Sequence, residues 1–279
     1  MSEADWLTSG TVEVGAKRVF YREAGEGPPV VLLHGAGSGD GRDWTFSVFR
    51  ELARAHRVIA PDRPGIGGSD AIPGMDDPRA QARHLRAAMS EIGVENPLLV
   101  GHSYGGTVTL AWALETPDLP GMVLAAAVGF PLQAPGLFKL LAGPAGAAFA
   151  PLLAGPLHKG AMKAAIKGAF GPQPAPPEYV AYGLDHVWRK SGEIRNNARE
   201  IAHVSPALAD MQARYGTLNI PAEVLAGDRD ANVPADSQAR RLAEALPEAR
   251  LTMLPGHGHM IHVTAPDALL DAVGRLGRA

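Results

Sequence analysis

Short apolar runs recur along this chain and alternate with stretches of helical periodicity. Six of these runs are typical of buried strands, at residues 29–33, 57–62, 98–100, 122–128, 222–226 and 249–254. Strands that alternate with helices predict a parallel sheet with right-handed crossovers and helices on both faces. Two more polar segments before the first run, at residues 12–14 and 18–22, predict an N-terminal hairpin.

Polar positions mark where helices begin. Asp77 and Pro78 are typical of an N-cap and a first helical residue, and an apolar stripe at Leu85, Met89 and Ile92 follows. Helical patterns also occupy residues 161–170, 193–202, 234–246 and 265–277. Residues 131–205 hold no strand-like run. We therefore expect a helical insertion at 131–205 within one α/β core, formed by residues 1–130 and 206–279.

The strand at residues 98–100 leads directly into Gly101-His102-Ser103-Tyr104-Gly105, and a helical pattern follows. A serine between two such glycines, on a turn from strand to helix, is typical of a nucleophile elbow. The glycines are needed because a side chain at either position would collide with nearby backbone. The alternative is a glycine-rich connection with a capping serine. The strand–turn–helix context favours Ser103 as a nucleophile.

A serine nucleophile needs a base, and the base needs an acid that orients it. Two aspartates, Asp228 and Asp230, compete for the acid position after the strand at 222–226. We favour Asp230, because it stands in a Gly-x-x-Asp-x-x-Val-Pro arrangement, and we expect Asp228 to stabilise the loop. Either residue could instead be a turn aspartate that bonds its own backbone.

Three histidines, His257, His259 and His262, crowd the loop before the last helix. We favour His259 as the base, since it follows a glycine and precedes that helix. The other two are then supporting or surface residues. The three could also suggest a metal cluster, but their spacing is not the i, i+4 spacing of a helical metal site. We expect no metal.

An oxyanion hole needs a second backbone N–H besides that of Tyr104. The loop His34-Gly35-Ala36-Gly37 follows the apolar strand at 29–33 and is placed to supply it. We expect the N–H groups of Ala36 and Tyr104 to be the donors, with Gly37 as a substitute for Ala36.

Five segments in this order resemble the α/β-hydrolase superfamily, and in particular its serine-nucleophile, esterase- or lipase-like members with a helical cap. They are His34-Gly35, residues 62–69, the elbow, residues 227–234 and Gly258-His259. The resemblance implies an α/β-hydrolase fold with a mostly parallel eight-stranded sheet, a cap of helices over the active site and no required cofactor. It also implies a mainly structural role for residues 62–69.

The same resemblance implies hydrolysis of carboxylic esters through an acyl-enzyme. Related haloalkane dehalogenases and epoxide hydrolases carry aspartate at the elbow, so Ser103 argues against both. Hydrolases of C–C bonds in ring-cleavage products, lactonases and cofactor-free perhydrolases remain alternatives. Met260 stands where the C–C hydrolases usually carry tryptophan, and this departure favours the esterases.

Aromatic residues of the insertion suggest an apolar or aromatic small-molecule substrate. The residues expected to contact it are His34, Phe130, Phe138 and Trp188. The alternative is that these side chains simply pack the insertion onto the core.

Composition excludes several function classes. The net charge is −3, with 20% charged residues and no basic patch, so no nucleic-acid partner is expected. The absence of cysteine excludes a thiol nucleophile and disulfides. Residues 1–6 have no apolar run typical of a signal peptide, and a cytoplasmic location is expected. Residues 140–157 are uncharged but contain three prolines, so no membrane span is expected. The oligomeric state, monomer or homodimer, stays open.

Overall fold

The sheet of this protein has eight strands in the computed structural model, which describes residues 6–277. The expectation about a signal peptide therefore falls almost wholly outside the described residues. The strands are β1 (Thr8–Val14), β2 (Lys17–Ala24), β3 (Pro29–Leu33), β4 (Arg57–Pro61), β5 (Leu98–His102), β6 (Met122–Ala125), β7 (Ala222–Gly227) and β8 (Ala249–Leu254). Their spatial order is β1-β2-β4-β3-β5-β6-β7-β8. Strand β2 pairs antiparallel with β1 and β4, and the other pairs are parallel. The expected eight-stranded, mostly parallel sheet is confirmed.

Eleven α-helices within residues 6–277 accompany this sheet. They are α1 (Phe49–Leu52), α2 (Pro78–Glu91), α3 (Tyr104–Ala113), α4 (Gly136–Ala142), α5 (Gly146–Ala154), α6 (His158–Phe170), α7 (Pro177–His186), α8 (Ser191–Gln212), α9 (Ala239–Ala245), α10 (Ile261–Thr264) and α11 (Pro266–Leu276). A 3-10 helix at Gly41–Phe46 precedes α1.

Both faces of the sheet are buried. Along β3, Val31 packs into a core with residues of α2, α3 and α8, while its neighbour Val30 packs into a second core with α1 and α11. This alternation explains the continuous apolar runs, because a parallel strand covered on both sides has no solvent-facing positions. The carboxyl ends of the parallel strands then share one edge, where binding sites of such sheets lie.

Helices α4 to α8 fill the connection between β6 and β7, the position of the expected insertion. The proposed boundary at residue 205 lies inside α8, which runs unbroken through Pro206. In its N-terminal half, Ile194 and Ala198 pack with α4 and α5, whereas Val204 and Leu208 belong to the main core. Helix α8 thus joins the insertion to the core.

Two elements differ from the sequence expectation. Strand β6 ends at Ala125, because Ala126 has a φ of 46°, outside the extended region. The helix expected at 234–246 begins only at Ala239. The preceding Gln238 is buried and accepts hydrogen bonds from the amides of Gly129 and Phe130, and this long-range tie has no local sequence signal.

Candidate active site

Ser103 occupies a strained turn between β5 and α3. Its φ and ψ are 54° and −119°, in a region that residues other than glycine rarely adopt. The two neighbouring glycines make this turn possible. A Cβ on Gly105 would collide with the carbonyl oxygen of Leu33, and one on Gly101 would lie 2.5 Å from the carbonyl oxygen of Gly105. At both positions, therefore, a side chain would collide with backbone, as expected from the sequence.

Asp230 and His259 form a buried hydrogen-bonded pair. Nδ1 of His259 lies 2.7 Å from Oδ2 of Asp230, whose side chain is fully buried. The other oxygen, Oδ1, accepts from the amides of Asn232 and Val233, each at 2.9 Å. Because the carboxylate accepts the Nδ1 proton, Nε2 keeps its lone pair and can act as a base.

Asp228 has a different environment. Its Oδ1 accepts a hydrogen bond of 2.7 Å from the amide of Gly256, and its side chain is 43% exposed. It braces the loop that leads to His259. Nearby, Nδ1 of His257 lies 3.0 Å from the hydroxyl of Thr264. Neither side chain is engaged with the Asp230–His259 pair.

His102 connects Ser103 to His259. Its ring centroid lies 4.8 Å from that of His259, and its Nε2–H donates to the carbonyl oxygen of His259 at 3.1 Å. The peptide nitrogen of His259 in turn donates to the carbonyl of Ala169 in α6. The histidine loop is thus held by the elbow on one side and by the insertion on the other.

The candidate oxyanion donors differ in availability. Tyr104 is the first residue of α3, so its N–H has no partner within the helix. The N–H of Ala36 makes no hydrogen bond to any group within residues 6–277. The N–H of Gly37, in contrast, donates to Oδ1 of Asn197 in α8 at 3.2 Å. Gly37 is therefore already engaged, and Ala36 and Tyr104 are the free pair.

Arg63 holds the loop that carries Ala36, a role that the sequence did not reveal. Its buried guanidinium donates to the carbonyl oxygens of His34 and Gly35, both at 3.1 Å. It also pairs with the buried Glu200 of α8. Burial raises the pKa of Glu200, and the Arg63 charge opposes this shift. Arg63 therefore links the loop at the site to the insertion across 137 residues of sequence.

Comparison with known proteins gives the family. A model described as the alpha/beta hydrolase family matches residues 30–272. The chain belongs to this family. A 2-hydroxy-6-oxo-6-phenylhexa-2,4-dienoate hydrolase from Burkholderia cepacia is 29% identical over 268 residues, which cover 90% of this chain and 88% of that protein. A protein of the same name from Comamonas testosteroni is 30% identical over 258 residues, covering 86% and 84%.

The solved structures agree on the fold. An alpha/beta hydrolase fold protein from Burkholderia ambifaria superimposes with a TM-score of 0.81 at 26% identity, covering 95% of this chain and 96% of that one. This α/β hydrolase has no single helix within residues 6–277 that is long and apolar enough to cross a membrane. Helices α4 and α5 are long and apolar enough to cross a membrane only when they are taken together, and the angle between them is 111°.

Of the four residues expected to contact substrate in this α/β hydrolase, three have hydrogen-bonding or packing partners within the protein. The ring of His34 is fully buried, and both nitrogens are used: Nε2 accepts from the amide of Arg63, and Nδ1 lies 3.0 Å from the carbonyl of Gly35. Phe130 packs edge-on against Tyr215 in the core. Phe138 packs with the buried residues shared by α4, α5 and α8. Their aromatic or polar character alone could not distinguish packing from substrate contact.

Trp188 also packs against two of the buried clusters, but in addition it lies beside the loop that carries Ala36 and Gly37. Its indole ring comes within 3.7 Å of the position that a Cβ on Gly37 would occupy. It also lines a cavity of about 270 Å³ together with polar residues that include Arg42 and Asn197. The indole Nε1 and the Nε of Arg42 are both buried without a hydrogen-bond partner. Unpaired buried donors of this kind can receive an acceptor from a ligand.

A second buried pair lies behind His259. Nε2 of His262 lies 3.1 Å from Oδ2 of Asp43, and the hydroxyl of Tyr179 in α7 donates to Oδ1 at 2.7 Å. Asp43, His102 and His262 are the one set of three potential metal ligands in residues 6–277 whose donor atoms lie within 4.8 Å of one another. Both oxygens of Asp43 already have a donor. The three histidines that are close together in the sequence thus have different partners: Thr264 for His257, Asp230 for His259 and Asp43 for His262.

Proposed function

We propose that this α/β hydrolase is a serine hydrolase in which Ser103 is the nucleophile, His259 the base and Asp230 the acid that orients it. The observation that carries the proposal is the Asp230–His259 pair, which commits the Nδ1 proton and leaves Nε2 free. The strained elbow that carries Ser103 lies beside this pair, because the neighbouring His102 contacts His259.

The proposed reaction is acyl transfer. His259 takes the proton of Ser103 as its oxygen attacks a carbonyl carbon, and the amides of Ala36 and Tyr104 bind the oxyanion that develops. Each such donor contributes roughly 3 kcal/mol to stabilisation of the transition state. His259 then returns the proton to the leaving group, and water releases the acid. Asp230 stabilises the imidazolium throughout.

We further propose that residues 131–205 act as a cap that selects the substrate. Support comes from three contacts between the insertion and the site. Asn197 holds the amide of Gly37, Glu200 pairs with Arg63, and the carbonyl of Ala169 accepts from the amide of His259. A substrate that enters beside Trp188 would meet cap and oxyanion loop together.

Carboxylic esters are the first candidate substrates, because the proposed triad requires only a carbonyl and a leaving alcohol. Met260, in place of the tryptophan usual in C–C hydrolases, also supports an ester. A C–C bond hydrolase is the second candidate, and two observations favour it. The relatives from B. cepacia and C. testosteroni carry names of dienoate hydrolases, and a dienoate bears a carboxylate. The unpaired donors of Trp188 and Arg42 could bind such a group.

A paired substrate test distinguishes these candidates. The purified protein is assayed with p-nitrophenyl esters of increasing chain length and with 2-hydroxy-6-oxo-6-phenylhexa-2,4-dienoate, alongside Ser103→Ala and Arg42→Gln variants. An esterase should prefer the esters by kcat/KM and be little affected by Arg42→Gln. A C–C hydrolase should prefer the dienoate and show a raised KM for it in Arg42→Gln. Turnover of both substrates by Ser103→Ala at the native rate would refute the serine mechanism.

A further inference from the structure

The exposed surface of helices α4 and α5 is unusually apolar. The large hydrophobic side chains that are most exposed in residues 6–277 all lie between positions 137 and 157, with exposed fractions of 40% to 55%. They are Leu137, Leu140, Phe149, Leu152 and Leu157, and we call this surface the cap face. Helices α4 and α5 pack against α8 through Leu141 and Ala150, so the cap face points away from that contact. A concentrated exposed apolar patch indicates an interaction surface.

The chain segment that forms the cap face carries charge of one sign. Residues 119–177 contain four lysines and no aspartate or glutamate, although the whole chain has a net charge of −3. One is Lys139 in α4. The others, Lys159, Lys163 and Lys167, are spaced by four residues along α6, so they form a single exposed row. Within residues 6–277 the one ion pair made by a lysine is that of Lys190, so none of these four lysines is in an ion pair.

Leucine and phenylalanine beside unpaired lysines fit the surface of an anionic lipid bilayer. Interfacial helices insert apolar side chains at the level of the headgroups, while lysines bind the anionic lipids. Helices α4 and α5 have seven and nine residues and meet at 111°, so they can lie along a surface but are too short to cross it singly. A symmetric dimer through this face is disfavoured, because it would bring the two lysine rows close together.

We propose that the cap face docks this hydrolase on anionic lipid membranes. This interaction goes beyond the proposed reaction and does not depend on it. Helix α6 carries both the lysine row and Ala169, whose carbonyl accepts from the amide of His259. Docking would therefore bring the candidate active site close to apolar molecules dissolved in the bilayer.

Vesicle flotation tests the proposal. The full chain is mixed with vesicles of phosphatidylcholine and phosphatidylserine (7:3) or of phosphatidylcholine alone. Binding to the anionic vesicles should be at least tenfold stronger and should fall in 0.5 M NaCl. The triple variant Lys159→Ser/Lys163→Ser/Lys167→Ser should lose at least tenfold in binding. As a matched control, Lys163→Ser should weaken binding more than Lys17→Ser, which removes an exposed lysine from the first position of β2.

A second variant tests the apolar part of the surface. Phe149→Ser/Leu152→Ser replaces side chains that are 46% and 43% exposed, so it should fold normally and yet bind anionic vesicles at least fivefold more weakly. No binding to anionic vesicles, or equal binding by every variant, would overturn the proposal. So would a dimer in light scattering that this double variant dissociates, because the face would then serve self-association. Flotation needs no turnover, so its outcome is independent of the proposed reaction.

Discussion

Acidification should destabilise this protein through two buried histidines near the candidate site. Burial lowers the pKa of His34 well below its ordinary value, and the charge of Arg63 lowers it further. Burial likewise lowers the pKa of His102, with an added contribution from His262. Both rings stay neutral in the folded chain at pH values where they are protonated in the unfolded chain.

The sign and size of the effect follow from proton linkage. Below about pH 6.5 the unfolded chain binds one more proton per histidine, so the free energy of unfolding falls as pH falls. The slope approaches about 1.4 kcal/mol per pH unit for each residue, which limits the loss by pH 5 to at most about 2 kcal/mol each, or about 4 kcal/mol together. Asp62 opposes this trend. Burial raises its pKa to about 6, with a further contribution from Asp40, so the folded chain gains a proton there as pH falls.

Urea unfolding at pH 7.5, 6.5, 5.5 and 5.0 measures this dependence. The variant His102→Gln retains a donor for the carbonyl of His259 but cannot titrate, so its slope below pH 6 should be smaller than that of the native chain by about 1.4 kcal/mol per pH unit. His186→Gln, which removes an exposed ring from α7, is the matched control and should parallel the native chain. An unchanged slope in His102→Gln would refute the reasoning.

Three further predictions concern single contacts. Asp230→Asn should lower kcat about 10⁴-fold without unfolding the chain, whereas Asp228→Asn should retain most activity. If steady-state assays show the larger loss in Asp228→Asn, Asp228 is the acid. Gly105→Ala should cost roughly 1–3 kcal/mol or more of unfolding free energy, because its Cβ would meet backbone; a native urea midpoint would contradict this. Tyr179→Phe should cost about 1.5–3 kcal/mol, because it removes a donor from the buried carboxylate of Asp43, and an unchanged melting temperature would argue against that bond.

The positions of the strands along the chain and the elbow could be predicted because their signals are local. The apolar run before Gly101, the two glycines around Ser103 and the helix after it all lie within a short window, and the steric demand of the turn selects those residues. The pairing of Asp230 with His259 follows from the same logic, since both residues lie at the ends of neighbouring parallel strands.

Contacts between segments that are far apart in the chain have no such local signal in the sequence. Nothing in the sequence indicated that Arg63 would contact Glu200, which lies 137 residues away. The same holds for the contact between His262 and Asp43, which are 219 residues apart. The helical pattern predicted at residues 193–202 belongs to α8, which continues through Pro206 to Gln212 although a proline removes an N–H from the helical ladder. It continues because its C-terminal half is buried in the main core.

Covalent labelling with a fluorophosphonate tests the central claim most directly. We expect one adduct per chain, on the peptide that contains Ser103, and none in Ser103→Ala. Labelling should slow by orders of magnitude in His259→Ala, because the serine loses its base, while His257→Ala should label at close to the native rate. An adduct on another residue, or equal labelling of the Ser103→Ala variant, would contradict the assignment of Ser103 as the nucleophile.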